Sequence, residues 1–146
     1  MKNIALFLMI LFAFAASRSA EPEKNRLQLD EKFFSELYRT PPVLRDSFLE
    51  HRLNSIVSGR GIIKSIDAYG RLKKNYRLVL IDEKASRSNC IITYHLYLAD
   101  KDTVSILKKD ELFEFTGQLI AYTPLNSKRD AYILDVILEK GIMILE

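Results

Sequence analysis

One cysteine, Cys90, stands in the 146 residues. A single thiol excludes an intramolecular disulfide framework and a cysteine-based zinc site. Cys90 opens the apolar run Cys90-Ile91-Ile92, which predicts a buried, inert thiol, with intermolecular pairing as the alternative. Charge of one sign is also lacking, with 22 basic against 19 acidic side chains. That balance excludes the strongly basic domain that marks many nucleic-acid binders and leaves only local patches. Catalytic signatures are absent too. There is no His-Glu-x-x-His and no serine elbow, and Gly59-Arg60-Gly61 lacks the later glycine and the Lys-Ser/Thr of a phosphate-cradling loop. Asp82 and Glu83 close a predicted strand without partner carboxylates, and Cys90 and His95 differ in strand parity, so they face opposite sides. The expectation is a protein with no catalytic, metal or cofactor site. No internal repeat or low-complexity tract is present.

Long apolar runs are equally scarce. The uncharged stretch from Asn3 to Ser17 is shorter than the ~20 residues of a membrane span. With Lys2 before it and the small residues Ala15-Ala16-Ser17 and Ser17-Arg18-Ser19 at its end, it has the three parts of a secretory signal peptide. We read residues 1–19 as that signal, cut after Ser17 or Ser19, and expect a periplasmic or secreted protein. No cysteine follows the apolar run, so a lipid-modified N-terminus is not indicated. Cleavage after Ser19 removes Lys2 and Arg18 and leaves 20 basic against 19 acidic side chains, a net charge of +1.

Residues 20–54 read as a polar leader, through Glu31, followed by a helical extension. Phe33, Phe34, Leu37 and Tyr38 recur at helical spacing behind Asp30, a plausible N-cap, and Thr40-Pro41-Pro42 stops that helix. A second helix is expected from about Pro42 to Asn54, its apolar stripe formed by Val43, Leu44, Phe48, Leu49 and Leu53, with Arg45, His51 and Arg52 mainly off it. Residues 55–146 read as β-structure. Strands are expected over 56–66, 76–81 and 90–98, separated by a basic loop over 67–75 and a turn over 82–89. Asp100 or Asp102 can cap a short helix through Val104, Ile106 and Leu107. Two long strands close the domain. Phe113, Phe115, Gly117, Leu119 and Ala121 share one parity on the first, and Tyr132, Leu134, Val136 and Leu138 share one on the second. The mid-strand Gly117 predicts a bulge or tight bend, and Gly59 with Gly61 predicts strong coiling.

Three strands, a short helix, then two strands, with glycines in the first and fourth strands, is the order of the OB-fold. The segments Val57-Ser58-Gly59-Arg60-Gly61-Ile62-Ile63 and Leu107-Lys108-Lys109-Asp110-Glu111-Leu112-Phe113-Glu114-Phe115-Thr116-Gly117 resemble the OB-fold group called tRNA-anticodon-binding-like, found in exported bacterial proteins. The resemblance covers about Ile56 to Glu139. The turn before the fourth strand commonly carries a glycine in such domains, and here Lys109 stands there. What the resemblance implies is a mainly β, five-stranded Greek-key barrel with a helix between strands three and four and an N-terminal helical extension. Its binding face would be strands two and three, framed by the loops between strands one and two and between strands four and five. On that frame the candidate ligand-binding residues are Arg71, Lys73 and Lys74 on one loop, Lys128 and Arg129 on the other, and Tyr76, Arg77, His95 and Tyr97 between them. Strand three could instead turn Ile92, Tyr94 and Leu96 outward. The more polar set Thr93, His95 and Tyr97 is expected there.

Three functions follow in order. The first is an exported, non-catalytic module that binds an anionic oligomer, single-stranded nucleic acid or glycan, through these basic loops. The second is an envelope domain that docks a protein partner. An enzyme comes third.

Overall fold

The computed structural model describes residues 26–144. The predicted signal, residues 1–19, and the first half of the leader, residues 20–25, lie outside the described residues. Ten elements follow in order: β1 (Leu27–Gln28), α1 (Glu31–Arg39), α2 (Pro42–Glu50), β2 (Ile56–Arg71), β3 (Lys74–Ile81), α3 (Glu83–Arg87), β4 (Ile91–Leu98), α4 (Lys101–Ile106), β5 (Leu112–Pro124) and β6 (Ala131–Ile144). The strands lie in the order β1-β2-β3-β4-β6-β5, and β5 pairs back onto β2, so the sheet closes into a ring. Only β1–β2 and β4–β6 are parallel. The five long strands, with α4 between the third and fourth of them, are the expected OB-like arrangement.

Closure depends on β2, which serves two partners. Its first half, Ile56 to Ile62, pairs with β5, and its second half, Ile62 to Arg71, pairs with β3. Gly61 sits at this corner, where an added Cβ would lie 2.8 Å from the Ile81 carbonyl oxygen. Gly117 sits at the register shift between β5 and β6, where an added Cβ would lie 2.2 Å from the carbonyl oxygen of Ile137. Close backbone approach is the reason both positions take glycine.

The interior is filled by alternate residues. Leu78 and Leu80 of β3 and Ile92, Tyr94 and Leu96 of β4 are buried, together with Phe113, Phe115 and Leu119 of β5 and Tyr132, Leu134 and Val136 of β6. The same cluster contains Phe33, Phe34 and Leu37 of α1 and Leu49 of α2. Each such side chain stabilises the fold by about 1.5–3 kcal/mol through burial. Asp30 caps α1 by accepting from the Phe33 amide at 2.9 Å, and the Thr40 amide closes the last turn onto the Glu36 carbonyl before the two prolines. Cys90 is buried, which pushes its thiol up to about 11.

Several expectations need correction. The leader is not wholly irregular, because Leu27 and Gln28 pair with Val57 and Ser58 of β2. The turn at 82–89 contains α3, capped by Asp82, whose Oδ1 accepts from the amides of Lys84 and Ala85. In α2 the predicted stripe is rotated. Val43 and Leu44 are exposed, while Arg45 is buried and Leu49 remains inside. Arg45 is held inside because every acceptor around it is a main-chain carbonyl. It donates to Tyr38, Thr40, Lys128 and Arg129. In the turn before β5 the left-handed residue is Asp110, at φ 66°, rather than Lys109.

Candidate ligand-binding face

The basic loop expected at 67–75 is a β-ribbon. Strand β2 continues to Arg71, β3 starts at Lys74, and only Leu72 and Lys73 form the turn. Both have positive φ, 56° and 58°, the conformation of a type I′ hairpin turn, usually built from Asn and Gly. The ribbon therefore carries its cations on paired backbone, with Lys73 at the tip.

Strand parity decides which side chains share the outer face. Asp67 pairs with Arg77, Arg77 with Tyr97, Val79 with His95, and His95 with Asp135. Thr93, His95 and Tyr97 face outward, as the polarity of that set predicted, while Ile92, Tyr94 and Leu96 line the interior. Tyr76 has the opposite parity to Arg77 and packs against the core, and Lys74 shares that parity, so the structure turns both away from the side of Arg77, His95 and Tyr97. Two residues not singled out from the sequence, Tyr69 and Asp135, occupy the centre of this face.

The cluster is closely coupled. The Tyr69 and Tyr97 ring centroids are 6.3 Å apart. Arg77 lies 4.4 Å from the Tyr69 centroid, and Arg71 lies 5.7 Å from that of Tyr97. Arg77 also pairs with Asp67 at 2.9 Å. Arg71 donates to the Tyr97 hydroxyl at 3.3 Å, and that hydroxyl donates to Asp135 at 3.1 Å. His95 Nδ1 is 3.3 Å from the same Asp135 oxygen, and Arg71 is 3.8 Å from the other. Burial, and then the nearby Asp135 carboxylate, raise the Tyr97 hydroxyl above its ordinary value and keep it a donor. Burial alone would raise Asp135. Hydrogen bonds from His95 and Tyr97, with the charges of His95 and Arg71, outweigh it and hold the carboxyl below its usual value. Tyr97 is thus fully covered although it points outward, and Tyr69 remains the accessible ring at 38% exposure.

The second basic loop lies at the other end of the face. The Ile91 amide, at the start of β4, donates to the Asp130 carbonyl at 2.8 Å, whereas the ribbon flanks the end of β4. The two loops are therefore separated by the length of β4, about 23 Å at 3.3 Å per residue. Arg129 is engaged there, with Nε 3.0 Å from Asp46, and Asp46 also accepts from the Tyr132 hydroxyl at 2.9 Å. Lys128 is exposed. Between the loops the outer face is mixed, with Ile81 and Ile91 exposed beside the half-buried Thr93 and His95. Among the described residues no group of three or more His, Cys, Asp or Glu side chains could hold a metal ion, and no helix is long and apolar enough to cross a membrane.

No family model matches this chain, and no curated protein matches it. Solved structures do. An OBody bound to hen egg-white lysozyme is 12% identical, with 66% of this chain and 85% of that one covered and a TM-score of 0.44. Entamoeba histolytica asparaginyl-tRNA synthetase, in complex with asparaginyl-adenylate, is 18% identical over 62% of this chain and 21% of its own, with a TM-score of 0.42. This chain thus spans about a fifth of that synthetase. A Klebsiella pneumoniae protein provisionally named a nucleic acid-binding lipoprotein is 14% identical over 84% of this chain and 94% of its own, with a TM-score of 0.46. The OB-like character of the present fold rests on its own strand order and closure.

Proposed function

We propose that this protein is an exported, non-catalytic binding module that takes single-stranded nucleic acid across the outer face of β2, β3 and β4. The observation that carries the reading is the accessible Tyr69 ring, stacked by Arg77 and backed by Tyr97, at the base of a ribbon that presents Arg71, Lys73 and Lys74. A base stacks on Tyr69, and base–aromatic stacking contributes about 1–3 kcal/mol. Phosphates passing around the ribbon end meet Lys73 at the tip and Lys74 on its other face, neither of which has a carboxylate within 4.0 Å among the described residues. The exposed Ile81 and Ile91 beyond them accept the faces of further bases, so the module tolerates many sequences. Export is supported by Lys2 and the apolar run Ile4 to Ala16.

The test is fluorescence anisotropy of the chain from Ala20 onward with a labelled oligodeoxythymidine at several salt concentrations. Affinity is expected to fall log-linearly with salt. Lys73→Ala with Lys74→Ala should lower that slope by about 1.4, at ~0.7 per phosphate contact for a single strand. Tyr69→Ala should weaken binding at all salts, and Tyr69→Phe should restore it. Absence of binding at low salt would sink the proposal.

A further inference from the structure

A second feature lies away from this face, at the other half of β2. Strand β1 covers β2 at Val57 and Ser58, and β3 covers the same edge from Ile62 onward. Between them the strand edge is open. Main-chain groups of alternate residues point to the same edge of a strand, so Arg60, two residues from both Ser58 and Ile62, turns its N–H and C=O into this gap. The Leu29 amide makes the last bond before it, to the Ser58 carbonyl at 2.8 Å. Two recesses meet at the gap. One, of about 350 Å³, is lined by Arg60, Gly61, Asp82, Lys84, Arg87 and Glu111. The other, of about 470 Å³, shares Arg60 and Lys84 and extends past Arg26 and Lys140.

The two recesses together carry five cations, Arg26, Arg60, Lys84, Arg87 and Lys140, and six carboxylates, but the pairing between them is uneven. Asp82 is consumed by its helix cap and by the Tyr94 hydroxyl at 2.5 Å. Asp30 caps α1, Asp110 faces Lys64 at 3.6 Å, and Glu114 faces Arg60 at 4.0 Å. Arg26, Lys84, Arg87 and Lys140 then have no carboxylate within 4.0 Å among the described residues, against Glu83 and Glu111 on the acidic side.

We propose that this groove is a docking site for an extended, acidic peptide segment of a partner protein, added as a short strand at the Arg60 edge. Such a segment satisfies both deficits. Its main chain bonds the open edge, and its carboxylates meet Lys84, Arg87, Arg26 and Lys140. Strand addition of this kind draws affinity from main-chain bonds and selectivity from alternate side chains. The site is independent of the nucleic-acid face and stands or falls without it.

The experiment is a fluorescence polarisation titration of the full chain with a labelled peptide of alternating Glu and Val. Three probes accompany it: a Lys-Val peptide of equal length, the Glu-Val peptide N-methylated at alternate residues, and the labelled oligodeoxythymidine. Saturable binding of the Glu-Val peptide is expected, with at least a tenfold loss on N-methylation and no binding of the Lys-Val peptide. Lys84→Glu with Arg87→Glu should abolish peptide binding and leave oligodeoxythymidine binding unchanged. These two side chains reach the surface, so the variant is expected to keep its fold, and an unchanged far-UV circular dichroism spectrum checks this. Lys84→Ala with Arg87→Ala is the milder second variant, with at least a fivefold loss expected. No binding of the Glu-Val peptide, or binding indifferent to N-methylation or to both charge variants, overturns the proposal.

Discussion

Arg45 Nη1 donates to the carbonyl oxygen of Arg129 at 2.9 Å, so the second helix is fastened to the far hairpin loop by a buried guanidinium. The same side chain reaches the carbonyls of Lys128 at 3.2 Å and Thr40 at 2.8 Å. Hydrogen bonds from a charged donor contribute about 1.5–3 kcal/mol, and stranded acceptors add a desolvation cost. Arg45→Ala is expected to destabilise the protein by about 2–4 kcal/mol in urea denaturation. Arg45→Lys should recover little, because an ammonium lacks the planar fork that meets several carbonyls at once. A loss below about 1 kcal/mol would contradict this role.

Two glycines separate steric need from mere tolerance. At Gly117 an added methyl would meet the Ile137 carbonyl oxygen at 2.2 Å, and at Gly70 nothing lies within 4 Å. Overpacking against main chain cannot be relieved by a rotamer change. Gly117→Ala is expected to cost on the order of 3 kcal/mol or more, and Gly70→Ala about 0.5 kcal/mol or less. Equal urea midpoints for the two variants would refute the assignment of Gly117 to barrel closure.

The ribbon turn places two ordinary residues, Leu72 and Lys73, in the left-handed region. That conformation costs a non-glycine residue about 1–2 kcal/mol. Lys73→Gly should therefore raise stability by about 1 kcal/mol while weakening oligonucleotide binding and reducing its salt slope by about 0.7. Leu72→Asn should stabilise without changing that slope. Strain kept at a position that also supplies a cation fits a turn retained for binding. If Lys73→Gly changes neither stability nor slope, the turn has no such part.

Two buried carboxyls respond to pH in opposite senses. Burial, the largest effect at Asp82, lifts its carboxyl above the ordinary value against the hydrogen bonds from Tyr94, Ala85 and Lys84. The folded state then holds this proton more tightly than the unfolded state. Its contribution is full below the unfolded value of about 3.9 and is lost as pH rises through the raised folded value. Asp135, held low in the folded state, contributes above about 3.9 and loses that contribution as pH falls through its folded value. Urea midpoints measured from pH 2.5 to 7 should show Asp82→Asn gaining on the parent chain as pH rises from about 4. Asp135→Asn should lose the gain in stability seen between acid and pH 5. Parallel profiles for parent and variants would refute both assignments.

Much of the fold was legible because it depends on local patterns. The alternation in Phe113-Phe115-Gly117-Leu119 and Tyr132-Leu134-Val136 marked the two closing strands, and Asp30, Pro41 and Pro42 marked the ends of α1. Reading failed where a polar residue does an interior task. Arg45 looked like a solvated position because nothing in its neighbourhood in sequence announces the carbonyls of Lys128 and Arg129. The segment 67–75 looked like a loop because a hairpin turn built from Leu and Lys carries none of the usual turn chemistry.

The candidate site divides the same way. The sequence by itself determined which residue types were available, the cations of 71–77 and 128–129 and the polar parity of Thr93, His95 and Tyr97. It also determined most of the succession of strands and helices along the chain, since periodicity and glycine placement are written there. Only the tertiary structure decided which of these residues meet. It brought Tyr69 beneath Arg77, set Asp135 of β6 against Tyr97 and His95 of β4, turned Tyr76 inward, and tied Arg129 to Asp46. The physical reason is register. A shift of one residue in the pairing of β3, β4 or β6 would send each of these side chains to the other face, and the pairing of β4 with β6 joins residues forty apart, such as Ile91 and Ala131, rather than following any local signal.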